Sequence, residues 1–125
     1  MSVKFGKGQG DCYEIHARYI IDADHGRVEA LPDLVLCHGQ IWSEPRESWI
    51  DHCWLEFTQE IPAPPGWTGK TPRGIDAVMD ISQGQHTIAP KVLWYVAARA
   101  QNVRRYTAIE AARLMLKTGH FGPWA

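Results

Sequence analysis

The sequence predicts an α+β fold, with an N-terminal helix packed on a mostly antiparallel sheet of 4-5 strands and two C-terminal helices. Three observations lead to this. A helical apolar stripe runs through DCYEIHARYIID. Short alternating or apolar runs, broken by Gly and Pro, fill the middle of the chain. TAIEAARLMLKTG, near the end, carries both a helix start and a helix stop signal.

The first helix places Tyr13, Ala17 and Ile20 on one stripe, joined by Ile21, with Asp11 at the N-cap position and Cys12 in the first turn. Residues 1–10 read as a loop leading into it. After the turn DADHG, the segment LPDLVLCHGQIW contains a buried strand, LVLC, expected to end at Gly39. WIDHCWLEF alternates, so His52, Trp54 and Glu56 project to one face and Cys53, Leu55 and Phe57 to the other.

IPAPPGWTGKTPRG holds four prolines and three glycines in fourteen residues, which excludes helix and central strand and suggests a functional loop. IDAVMDIS is a strand with Val78 and Asp80 on one face and Ala77, Met79 and Ile81 on the other. SQGQ is a turn and HTI a short strand. Pro90 suits the opening of a helix reaching about Gln101, and NVRRY suits an edge strand. In the last helix Thr107 and Glu110 form a capping box. Ile109, Ala112, Met115 and Leu116 supply the expected apolar face, Lys117 suits the C-terminal dipole, and Gly119 ends it.

At 125 residues, without an internal repeat, the chain reads as a single domain spanning 1–125. Apolar residues make up 45% and charged residues 22%, a globular profile. Lys plus Arg is 13 against 14 Asp plus Glu, a net charge of −1, which gives no electrostatic reason to expect nucleic acid or an anionic membrane as partner. The start has two lysines but no apolar core of a secretory signal, and no run reaches a membrane span, so a cytoplasmic location is expected. The three cysteines then read as reduced thiols. Cys37 and Cys53, within apolar strands, read as core residues.

The chemistry-bearing residues are Cys12, His52 and Asp80. A helix start favours negative charge and so stabilises a thiolate. The thiol still needs a base, and the base an orienting acid. His52 sits mid-strand, and Asp80 on the following strand can hold one imidazole nitrogen while the other faces Cys12. GDCY, HCWLEF and VMDIS together resemble the nucleophile, histidine and third-member elements of papain-like cysteine hydrolases, especially transglutaminase-like and NlpC/P60-like domains. The resemblance covers residues 9 to 82 in order. It implies a catalytic Cys12–His52–Asp80 set, Gln9 as oxyanion donor, and a protein or peptide-like acyl substrate. Hydrolysis (peptidase, amidase or deamidase) or transfer to an amine would follow, with no cofactor. Trp54 and Trp67 would flank the substrate, and the loop 61–74 would act as a flap.

Other readings stay open. Each of these thiols and imidazoles also suits the core, and His38 is a second candidate base or a turn residue beside Gly39. Glu56 shares the face of His52, where a solvated role suits it equally. Cys12, His16, His38 and His52 form a candidate zinc set, although no tight Cys-x2-Cys spacing is present. Arg99, Arg104, Arg105, Arg113 and Lys117 make the C-terminal quarter basic. Such a cluster suits a solvated face; the alternative is a non-enzymatic interaction module docking an acidic partner protein, with Arg104 and Arg105 as partner-binding residues. Such a module would suit a phage or mobile-element accessory protein. The oligomeric state is left open.

Overall fold

A computed structural model describes residues 11–60, 65–66 and 74–124. Gln9, Trp67 and nearly all of the expected flap lie outside the described residues. The elements run α1 (Asp11–Asp24), β1 (Val35–Ser43), β2 (Ser48–Glu60), β3 (Gly74–Asp80), a 3-10 turn (Ser82–Gly84), β4 (Thr87–Pro90), α2 (Lys91–Ala98), β5 (Gln101–Tyr106) and α3 (Ala108–Thr118). The sheet has five strands in the order β4-β3-β2-β1-β5, every neighbouring pair antiparallel. This is the predicted α+β architecture. Among the described residues no helix is long and apolar enough to cross a membrane.

The period-2 pattern of β2 separates two cores. Cys53, Leu55 and Phe57 face α1 and join Tyr13, Ala17, Ile20, Leu36, Ala77 and Met79, with Ala111 of α3 completing the layer. Trp54 faces the other way, with Cys37 and Val78, beneath Trp94 and Tyr95 of α2. Leu36, Leu55 and Ile20 are at most 1% exposed, and burying each side chain contributes roughly 1.5–3 kcal/mol. Cys37 and Cys53 are wholly buried, as expected of core thiols. Burial pushes both thiols well above the usual cysteine range.

Three local expectations are corrected. β1 does not stop at Gly39 but runs on to Ser43. The glycine serves a close approach: a Cβ there would sit 2.7 Å from Trp54 Cη2 and 3.1 Å from the Gln101 carbonyl oxygen. α2 ends at Ala98, where Arg99 takes a left-handed conformation (φ 53°), three residues before the expected limit at Gln101.

The third correction concerns α3. Its capping box is present as predicted, Thr107 accepting from the Glu110 amide and Glu110 accepting from the Thr107 amide. Its buried face, however, is Ala108, Ala111 and Met115, while Ile109 and Leu116 are 59% and 88% exposed. Both stripes obey i, i+3, i+7 spacing. The small-residue stripe faces the core because alanines let the helix lie close to α1 and the sheet.

Candidate active site

The β2–β3 ladder pairs Glu56 with Val78 and stops at Leu55 with Met79. Extending the alternation puts Asp80 and His52 on the same face, one diagonal step apart at the end of the sheet. The His52 Nε2–H donates to Asp80 Oδ2 at 2.7 Å. Asp80 Oδ1 in turn accepts from the Ser82 amide at 3.0 Å and the Ser82 hydroxyl at 2.7 Å. This is an Asx-type turn whose signal in sequence is the spacing Asp80-x-Ser82. Ser82 is itself buried. The carboxylate therefore has three donors, and its orientation is set from the strand that carries it.

Cys12 reaches the same imidazole. Its thiol lies close enough to the His52 ring to favour the charged imidazole. With Nε2 committed to Asp80, Nδ1 is the ring nitrogen that Asp80 does not hold. Burial alone would lower the His52 pKa. The hydrogen bond to Asp80, the neighbouring Cys12 thiol and the attendant charges outweigh it, raising the ring to about 9. Burial likewise opposes ionisation of Asp80, but its bonds to His52 and Ser82 hold the carboxyl down at about 2. Cys12 is 4% exposed and the side chain of His52 12%, so little water screens the coupling between them.

His16 braces this arrangement in a way sequence reading missed. It is fully buried. Its Nε2 accepts from the Ile81 amide at 3.0 Å, so the proton lies on Nδ1, which donates to the Cys12 carbonyl at 2.7 Å. One neutral imidazole thus ties the first turn of α1 to the end of β3. Because Nε2 carries a lone pair, its 3.7 Å approach to Asp80 Oδ1 is not an ion pair. Its placement, four residues after Cys12 on the helix, is the only signal the sequence carries for this role.

The remaining candidates fall elsewhere. Trp54, expected to flank substrate, is wholly buried; it stacks on the His52 ring at 6.2 Å and backs it from within the core. Glu56 is not solvated. It is 6% exposed and accepts from Arg105 Nε at 2.9 Å, Trp54 Nε1 at 3.3 Å and the Tyr95 hydroxyl, with Lys91 Nζ at 3.3 Å. Burial would raise its pKa, but the Arg105, Tyr95 and Trp54 bonds lower it to about 2. Arg105 is therefore engaged in fastening β5 and α2 to β2, whereas Arg104 stays exposed on the opposite face.

His38 is buried among the rings of Tyr13, Tyr106 and Trp124, centroids 4.8, 5.0 and 4.8 Å away. Neither of its ring nitrogens has a hydrogen-bond partner among the described residues. Each such deficit costs about 1–3 kcal/mol. Burial, with the nearby His16, lowers its pKa to about 4. Among the described residues no three His, Cys, Asp or Glu side chains are grouped as a metal ion would require. The His16 nitrogens that a zinc site would use are both committed to backbone groups.

Comparison of the chain with family models, with curated proteins and with solved structures gave no match in any of the three.

Proposed function

We propose that this protein is a thiol-dependent acyl-transfer hydrolase in which Cys12 is the nucleophile, His52 the proton carrier and Asp80 its orienting acid. The observation that carries the reading is the hydrogen bond from His52 to Asp80, itself held on its far side by Ser82, with the Cys12 thiol beside the same imidazole. The same order of elements underlies the resemblance to papain-like cysteine hydrolases.

In the proposed cycle the thiol proton passes to His52 Nδ1, leaving a thiolate beside an imidazolium. Sγ attacks the substrate carbonyl carbon, and the oxyanion forms near the amides of the α1 start. As the tetrahedral intermediate collapses, the bond to the leaving group breaks and His52 returns the proton to that group. The thioester on Cys12 is then opened by water, or by an amine, which gives a proton to His52. That proton goes back to the departing thiolate.

The test is acylation by p-nitrophenyl acetate, read by mass spectrometry. The expected result is an acetyl adduct confined to Cys12, formed about 100-fold more slowly or worse in His52→Ala. No adduct on Cys12 of the folded protein, or an unchanged rate in His52→Ala, would overturn the proposal.

A specific observation favours the interaction-module reading as well. Val92, Leu93 and Val96 of α2 are 74%, 64% and 73% exposed, an apolar face on a helix with no buried residue. Sedimentation of the wild type against Val92→Ser/Val96→Ser tests it: self-association lost in the double variant supports that reading, and a monomer in both counts against it.

A further inference from the structure

A cavity of about 170 Å³ opens beside the start of α1. Its lining includes Tyr13, His38, Asp51, Arg104, Tyr106 and Trp124. Tyr13 follows Cys12 on the first turn of α1, which puts one wall of the cavity next in the chain to the proposed nucleophile; Asp51 precedes His52 on β2 and faces the other side of that strand. We infer that this cavity is a binding subsite for a neutral planar ring with a hydrogen-bonding edge, and that it receives the phenol side chain of a tyrosyl acyl substrate. The second half of the statement rests on the acyl-transfer reading; the first half does not.

Four features define the ligand. The volume is close to the roughly 150 Å³ of an apolar cavity that accepts benzene, so it takes about one ring. The walls are π faces and edges: Tyr13, Tyr106 and Trp124 already meet His38 at ring-contact distances. The rim holds one acid, Asp51, and one base, Arg104, which selects against a net charge in the ligand. Finally, His38 is 5% exposed and lacks hydrogen-bond partners for both ring nitrogens among the described residues, so it has both a donor and an acceptor unused. A phenol hydroxyl, which donates and accepts, satisfies either nitrogen whichever carries the proton, once the buried ring turns that nitrogen toward the cavity. A purely apolar ring leaves the deficit in place.

The arrangement also accounts for a histidine where a phenylalanine would pack among the same rings. Arg104 stands directly opposite His38 across the β1–β5 ladder, and Tyr106 lies two residues further along. Both sit on the cavity face, whereas Arg105 turns to the other face and to Glu56.

Titration of 4-methylphenol into the wild-type protein, followed by the ring proton signals of His38 and Trp124, tests the subsite without reference to catalysis. Saturable shifts at both rings are expected, with toluene binding about 10-fold more weakly, the equivalent of one hydrogen bond. His38→Phe keeps the ring and removes the nitrogens, and should erase that preference. No saturable shift, or equal binding of toluene and 4-methylphenol to the wild type, overturns the inference; this comparison needs no variant to fold. With the p-nitrophenyl esters of N-acetyltyrosine and N-acetylalanine, Cys12 should be acylated about 10-fold faster by the tyrosyl ester. His38→Phe should abolish that difference. A tyrosyl preference that survives His38→Phe overturns the subsite's role in substrate selection. If neither ester acylates Cys12 while 4-methylphenol still binds, the acyl-transfer reading falls and the pocket stands.

Discussion

The Nε2 of His52 lies 2.7 Å from Oδ2 of Asp80, across the point where the β2–β3 ladder gives out. This bond leaves Nδ1 as the nitrogen that the proposed cycle assigns to Cys12 and ties the protonation of the ring to the carboxylate. Asp80→Asn removes the charge and keeps the shape. The expected outcome is a fall of the His52 pKa from about 9 toward its ordinary 6.5, since burial is then opposed by Cys12 alone and no longer by the carboxylate. Titration of the His52 ring proton shifts by NMR measures it; a midpoint still near 9 would show that Asp80 is not the cause.

His52 and His38 bracket the pH range of greatest stability. The folded-state pKa of His52 is raised, so its contribution is fully present below 6.5 and is lost as pH rises through about 9. That of His38 is lowered, so stability falls as pH drops from 6.5 through about 4. Each shift corresponds to roughly 3 kcal/mol. Urea midpoints measured from pH 4 to 9 should therefore peak near pH 6.5, and His38→Phe should flatten the acid side alone.

Glu56 gathers Arg105 from β5, Lys91 and Tyr95 from α2, and Trp54 from its own strand. Glu56→Ala leaves two cations and two neutral donors around an empty site. Because Arg105 is 43% exposed, water recovers part of the loss, and a destabilisation of about 2 kcal/mol is expected rather than the larger figure of a fully buried pair. Thermal unfolding of Glu56→Ala and of Arg105→Ala checks this, and the two losses should not add.

Gly39→Ala tests the close packing of β1 against Trp54. The new methyl meets the indole at 2.7 Å and Val103 Cγ2 at 3.3 Å, and neither the wholly buried ring nor the Gln101 backbone has room to retreat. A loss of about 1–3 kcal/mol is expected by denaturant unfolding. On α3, Leu116→Ala should change stability by less than about 0.5 kcal/mol, and Ala111→Leu should cost about 1–3 kcal/mol. The reverse order would mean that the helix buries its large residues.

Much of the site was legible because it depends on local periodicity. The alternation of WIDHCWLEF put His52 on a defined face, the short strand after the Pro/Gly-rich loop put Asp80 beside it, and the capping residues marked where α3 starts. What was not legible depends on partners distant in sequence. Glu56 looked solvated because Tyr95 and Arg105 lie 39 and 49 residues away. Gly39 looked like a strand end because the reason for it, Trp54, comes from the neighbouring strand. The two apolar stripes of α3 share one spacing, so periodicity alone could not choose between them. His16 read as a metal candidate, since nothing local revealed that the Ile81 amide, 65 residues on, would take its second nitrogen.

The central claim is that Cys12 and His52 act as one reactive pair, and site-resolved alkylation tests it most directly. Folded wild type and His52→Ala are treated with iodoacetamide at pH 7 and each cysteine is quantified by mass spectrometry. The account predicts that Cys12 reacts while the buried Cys37 and Cys53 do not, and that His52→Ala slows Cys12 by about 10-fold or more. Cys12 left unmodified while the protein is folded, or modified at the same rate without His52, would contradict it.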